Sequence, residues 1–188
     1  MSDRNFIACR LPVSKEHGVP PKSFIDQLID KVKKMPDDIF ERNDHHDIYS
    51  VMLGPLGPYK NLQHRKAVMC EVLRVVAAFE SDWNWNAGVD KNNANSMAHK
   101  EGEETGAFQV SWDSMVKDKS LKDCVDRYVG KHDVNTFIKG MKENHDLGIE
   151  YCIRLLRFNT TWCGTLNKAS MVIAHVSRES VNEFESYL

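Results

Sequence analysis

Glu80 has the setting that most suits chemistry. It closes an apolar run, Ala77-Ala78-Phe79-Glu80, and the polar, aromatic stretch Ser81-Asp82-Trp83-Asn84-Trp85-Asn86 follows at once. Acidic side chains are among those least often buried without a partner. A carboxyl at the rim of an apolar helix loses part of its hydration, which disfavours its charged form. That is what a general acid needs near neutral pH. The competing reading is a glutamate that faces solvent as its helix ends, where the helix dipole mildly opposes a carboxylate. The two indoles favour the chemical reading, because aromatic faces stack on the C–H faces of sugar rings while amides and carboxylates bond to the hydroxyls. Core packing is the alternative for Trp83 and Trp85, since Trp is mostly buried in any case. From Glu80 to Asp113 there are seven acidic residues and two lysines, a local charge of −5 (two minus seven). Such a field raises the pKa of a protonatable carboxyl and disfavours a phosphate site in that stretch.

The elements that must position this stretch are mostly helical. Residues 22–35 place Phe24, Ile25, Leu28, Ile29 and Val32 at helical spacing, with Pro20-Pro21 before the run and Pro36 ending it. Residues 36–60 read mostly as loop, dense in turn formers at Gly54-Pro55-Leu56-Gly57-Pro58. The strongest helix spans 62–79, its apolar band wide enough for a largely buried helix. A long polar loop is expected over 81–103, and a strand or tight turn at Gly106–Val110. Further helices are expected at about 112–118, 121–128, 134–142, 144–158 and 168–186. The fold class is therefore mainly α, with a small β or loop lobe. Residues 1–60 form an N-terminal extension packed on the same domain as 61–188.

The 188 residues suit one domain. Lys+Arg is 25 against Asp+Glu 27, a net charge of −2, which argues against a nucleic-acid partner. No apolar run reaches the roughly 18–20 residues that cross a membrane, and MSDRNFIACRLPVSK has no apolar core of a secretory signal. The five cysteines, Cys9, Cys70, Cys124, Cys152 and Cys163, lack CxxC spacing and read as buried free thiols, with Cys152–Cys163 the one pairing to consider. Cys70, with His99 or His175, is a weak nucleophile candidate because it sits on an apolar helix. His45-His46 between Asp44 and Asp47 lacks the spacing of a metal site, and His132-Asp133 reads as a helix cap. Neither a metal nor a cofactor is expected.

Three motifs in order carry a family resemblance. Glu80-Ser81 ends a hydrophobic helix, Glu104-Thr105-Gly106-Ala107-Phe108-Gln109-Val110-Ser111 follows, and Asn144-His145-Asp146-Leu147-Gly148-Ile149-Glu150-Tyr151 comes last. Together they resemble the lysozyme-like superfamily, nearest to goose-type lysozymes and soluble lytic transglycosylases, over about 62–158. The resemblance implies a saccharide cleft between a helical domain and a small lobe, with Glu80 as the catalytic acid. Glu103, Glu104 and Asp90 are candidates for a second carboxylate, Glu104 first because it adjoins the Gly-Ala-Phe-Gln motif and Asp90 next, and the resemblance implies substrate contacts from Ser81, Trp83, Trp85, Gln109 and Tyr151. The substrate would be the β-1,4 bond of a peptidoglycan glycan strand. Two departures stand out. Ser111 occupies a place where goose-type lysozymes have Asp, as in transglycosylases, and residues 159–167 (NTTWCGTLN) replace the usual Ala-Tyr-Asn motif. The wording FESDWNW…ETGAFQVS is similar to muramidase effectors of type VI secretion. That likeness implies synthesis in the cytoplasm, action in a target's periplasm and an immunity protein that plugs the cleft. A lytic transglycosylase, a phage-type endolysin and a non-catalytic saccharide-binding module are the alternatives.

Overall fold

A computed structural model describes residues 3–41, 48–88, 100–158 and 172–188, leaving out the Phe158 side chain. The chain is mainly helical. Helix α1 spans Lys22–Lys34, α2 Ile48–Leu56, α3 Leu62–Ser81, α4 Lys119–Val129, α5 Val134–Glu143, α6 His145–Phe158 and α7 Arg178–Tyr187. Short 3-10 turns cover Asp37–Ile39, Lys100–Gly102 and Trp112–Lys117. Among the described residues the only β pairing is an isolated antiparallel bridge between Thr105 and Val110.

Local chemistry accounts for most helix ends. All five apolar positions of α1 named above are buried, and the helix stops two residues before Pro36. Asn61 caps α3 by accepting from His64 N at 2.7 Å. Asp118 caps α4, accepting from Ser120 N, and Gly130 ends that helix at φ +78°. Asp133 caps α5, accepting from Thr136 N, as its place before the helix predicts.

Two expectations need correction. Segment 36–60 is not mostly loop, because α2 lies inside it and buries Ile48, Tyr49, Met52 and Leu56. Gly54 and Pro55 weaken the local signal there, and packing against α3 overrides it. The stretch 168–186 is not one helix. Residues 172–173 are helical, the chain then turns, and α7 starts anew at Arg178. Ser177 interrupts it: its side chain accepts from Ser180 N, while its own N–H donates to Glu71 Oε1 at 2.8 Å.

Helix α3 lies at the centre, packed against α1, α2, α6 and α7, while α6 packs against α1, α4 and α5. The N-terminal residues close over this core. Arg4 pairs with Asp26 and Asp30 of α1 at 3.1 and 2.6 Å. The amides of Ile7 and Cys9 donate to the two carboxylate oxygens of Glu183 on α7, each at 2.7 Å. One hydrophobic cluster runs from Phe6 to Phe184, so residues before 60 share the core of the rest. Cys9, Cys70 and Cys124 are buried free thiols, and Cys152 is buried as well. Burial pushes the first three upward, Cys124 to about 12, which leaves them inert as nucleophiles. Cys163 lies outside the described residues, and so does its pairing.

Glu150, 1% exposed, ties the α1, α4 and α6 layer together. It accepts from Lys31 at 2.8 Å, Arg127 at 2.7 Å, Tyr128 at 2.8 Å and Arg154 at 2.8 Å. Burial alone pushes its pKa up, but these charged and hydroxyl donors outweigh it and hold the carboxyl at about 2. The folded value lies below the ordinary 4.5, so this stabilisation is complete above pH 4.5 and is lost as pH falls from there toward 2. We expect Glu150→Gln to destabilise the protein by about 3–5 kcal/mol at pH 7, since Lys31 and Arg154 keep their charge without a counter-ion. Urea unfolding at pH 7 and pH 3 checks this: the penalty should shrink at the lower pH, and an equal penalty at both would refute the ion-pair account.

Candidate functional site

The last turn of α3 does not run out into solvent; it folds back on itself. Asp82 (φ 52°) and Trp83 (φ 60°) both take left-handed backbone conformations. Their amides donate to Ala78 O and Ala77 O, each at 3.0 Å, closing the helix as in a Schellman motif. Gly normally occupies such positions, and a residue with a Cβ pays roughly 1–2 kcal/mol there. Burial of the indole holds Trp83 in place. It is 5% exposed, and Nε1 donates to Arg74 O at 3.0 Å, one helical turn and more back along α3.

Ser81 joins this turn to the second motif. Its Oγ donates to Ala107 O at 2.8 Å, and Asn84 N donates to the same Oγ at 3.1 Å. Gly106 N donates to Ala87 O at 3.0 Å, making a second tie. The stretch 105–110 is a tight turn rather than a strand, closed by Thr105 N to Val110 O (3.0 Å) and Val110 N to Thr105 O (3.2 Å). Gly106 is required here. Its φ is +73°, and a Cβ would lie 3.0 Å from Met141 O. Gln109 takes φ 45° and is 7% exposed, because its Nε2 turns inward to donate to Gly106 O at 2.9 Å.

The third motif arrives at the same place through Trp85. Its indole stacks on the His145 ring, centroids 4.2 Å apart and planes 8° apart, and meets Phe24 and Phe108 at 5.3 and 5.8 Å. Gly148 of α6 allows this approach, since a Cβ there would lie 3.2 Å from the Trp85 ring. The residues of all three motifs therefore converge on the C-terminal end of α3.

The expected site residues separate by exposure. Glu80, Ser81, Trp85 and Glu104 are half-buried, the setting in which a side chain can both be held and meet a ligand. Glu80 Oε1 is shielded from solvent. Trp83, Gln109 and Tyr151 are buried, which gives them a supporting place rather than the cleft-lining one expected. Tyr151, with no exposed surface, bonds through its hydroxyl to Ser114 Oγ at 2.6 Å and packs edge-on to Phe137. Its phenol pKa is pushed up by burial. Asp90, His99 and His45-His46 lie outside the described residues. Among those described, no group of three or more His, Cys, Asp or Glu side chains is placed to hold a metal ion.

Three histidines that are not among the expected site residues border the site. His17 Nδ1 lies 2.8 Å from Asp82 Oδ1, so the N-terminal segment is pinned to the turn beyond Glu80. His17 and His175 contact Phe79, with centroids 4.3 and 4.8 Å from it. His145 is the third, with its pKa lowered by burial despite Asp146. Each comes from a segment distant in the chain, so no local spacing could have revealed it.

Comparison with known proteins adds no relative: no family model, curated protein or solved structure matches the chain. The class defined by the fold and site is a mainly helical protein with a half-buried carboxyl at a strained helix end.

Removing the Ser81 hydroxyl should loosen the junction. Ser81→Ala is expected to cost about 1 kcal/mol of stability, the net worth of such a hydrogen bond. Amide exchange at Asn84 should accelerate with it. Unchanged exchange at Asn84 would show that the hydroxyl does not hold the turn.

Proposed function

We propose that the protein is a peptidoglycan glycoside hydrolase, a muramidase that cleaves the β-1,4 bond between N-acetylmuramic acid and N-acetylglucosamine. The observation that carries this reading is the Ser81 Oγ to Ala107 O hydrogen bond of 2.8 Å, which seats Glu80 beside the Thr105–Val110 turn. Two stretches that resemble the lysozyme-like family in sequence are thereby neighbours in space. A second support is where strain lies. Among the described residues, Asp82, Trp83 and Gln109 are the non-glycine positions with positive φ, and all three flank this junction. Backbone strain of this kind gathers at functional sites, where the surrounding structure sustains it.

In the mechanism, Glu80 donates its proton to the glycosidic oxygen as the bond to the anomeric carbon breaks. A second carboxylate, Glu104 or Asp90, directs water to that carbon or stabilises its positive charge. Water supplies the hydroxyl of the new reducing end, and its remaining proton restores the acid. The half-buried Trp85 offers an indole edge for a sugar ring. On this reading, segment 100–117 takes the part of the small lobe that closes the cleft. The same reading brings delivery into a target bacterium's periplasm and an immunity protein seated over Glu80.

Glu80→Gln keeps the shape of the side chain and removes its proton. We expect it to lower clearing of turbid cell-wall suspensions by at least a hundredfold with unchanged thermal stability. Equal clearing by both forms would sink the catalytic role of Glu80, and clearing by neither would leave a saccharide-binding module. Mass spectrometry of the products separates a hydrolase, which leaves reducing ends, from a transglycosylase, which leaves 1,6-anhydro ends.

A further inference from the structure

A concave site lies where the C-terminal end of α2, the N-terminal end of α3 and the first turns of α7 meet. Its volume is about 300 Å³, at the lower bound for small-ligand pockets. The polar side chains lining it are Lys60, His64, Arg178 and Asn182, and no carboxylate is among them. Each of the four can donate a hydrogen bond. Leu56 and Pro58 supply an apolar wall.

His64 gives the pocket its chemical sense. The residue is 3% exposed, and its Nδ1 is buried without a hydrogen-bond partner. An unsatisfied buried polar atom costs roughly 1–3 kcal/mol, so such a group in a folded protein calls for an explanation. The ring belongs to the first turn of α3, a helix of 20 residues whose N-terminus carries about half a positive charge. Burial and the nearby Lys60 charge lower the His64 pKa, while Glu185 opposes them. Lys60, Arg178 and the N-terminus of α3 supply positive charge around the pocket before any ligand is present. Glu185 stands at the edge of ion-pair reach, its carboxylate 3.9 Å from Lys60 Nζ, and offsets part of that charge, while Arg178 and the helix N-terminus stay positive. Arg178 is anchored at the rim, its Nε donating to Pro55 O at 2.8 Å, and its two terminal nitrogens retain their donors.

We propose that this pocket binds a small oxyanion, with phosphate the best match in charge and donor demand. Donors, a helix N-terminus and the absence of lining carboxylates suit an anion, and a bound anion would stabilise the protonated imidazole of His64. The site is separate from Glu80 and does not rest on the glycosidase reading.

The test is a titration of the full chain with inorganic phosphate at constant ionic strength, with chloride as control, following the His64 imidazole resonances by NMR. The expected result is a saturable shift at millimolar phosphate or below, together with a rise in the His64 pKa. Lys60→Gln alters a side chain that is 58% exposed, so folding should be untouched, and it should weaken binding about tenfold. A shift that never saturates, that chloride reproduces, or that Lys60→Gln leaves unchanged would overturn the proposal. Sulfate and glycerol 3-phosphate serve as further arms. Tighter binding of the phosphomonoester assigns the apolar wall to an organic phosphate, and equal binding assigns the free ion; either outcome supports the oxyanion site.

Discussion

From Ala67 to Ala78, helix α3 has no solvent face, so every charged side chain along that stretch must find its partner inside the protein. Glu71 and Arg74 meet this demand together, with Arg74 Nε and Nη2 donating to the two carboxylate oxygens at 2.7 Å each. Burial pushes the Glu71 pKa up against the pull of Arg74 and of the Ser177 amide, so the pair is held rather than comfortable. Such a pair adds little net stability over an apolar replacement, but breaking it on one side is costly. Its consequence is positional. Arg74 Nη1 donates to Leu11 O, Glu71 receives Ser177 N, and Arg74 O receives the Trp83 indole. One buried ion pair thus fixes the N-terminal segment and the start of α7 relative to a single helix, and the backbone carbonyl of the same arginine holds the turn after Glu80.

The same principle operates at the other end of α3. Arg65, 4% exposed, donates through Nε to Phe40 O at 2.5 Å, and its guanidinium lies 3.7 Å from the Tyr49 ring centroid. The buried arginine thereby anchors the 3-10 turn and α2, two pieces that local propensity alone would leave as loop. Glu80 stands nine residues beyond Glu71, roughly 13 Å along the helix axis at 1.5 Å per residue. A helix clamped at both ends in this way presents that carboxyl in a fixed place.

These constraints explain which parts were legible in the sequence. Helices α1, α4 and α5 show their apolar positions at helical spacing because each buries only one side, whereas α6 is enclosed all round from Leu147 to Ile153. Helix α2 hid because Gly54 and Pro55 belong to turn chemistry, and what stabilises it is packing from α3. The Glu80-Ser81 and Gly106–Val110 stretches were legible as motifs, whereas the Ser81 to Ala107 bond that joins them spans 26 residues. Trp83 and Trp85 could not be told apart by type or spacing. They part only because the left-handed backbone at 82–83 turns the first indole under α3 and leaves the second on the His145 ring. The family resemblance implies a cleft-lining place for Tyr151 and Gln109, and their polar groups suit one. Inside the protein the same groups are taken by Ser114 and Gly106 O.

Acidic residues in this fold divide into those spent on structure and those placed at an edge. Glu150 and Glu71 are almost fully enclosed, and each is saturated by arginine or lysine, so neither can exchange a proton with a ligand without breaking the core. Glu80 belongs to the other group. It follows directly on the buried stretch, its Oε1 is shielded while the residue as a whole is half-buried, and the backbone beyond it is strained. A helix that merely ended here would need no left-handed tryptophan, because one glycine would close it at lower cost. Asp82-Trp83 has the same closure with an indole driven into the core, and that burial is what sustains the strain. The geometry this maintains is a sharp reversal at Asp82-Trp83 that brings Ala87 back beside the 105–110 turn, with Glu80 in the helical turn just before it. That reversal, rather than the acidic charge of the loop, is the structural reason to look for chemistry at Glu80.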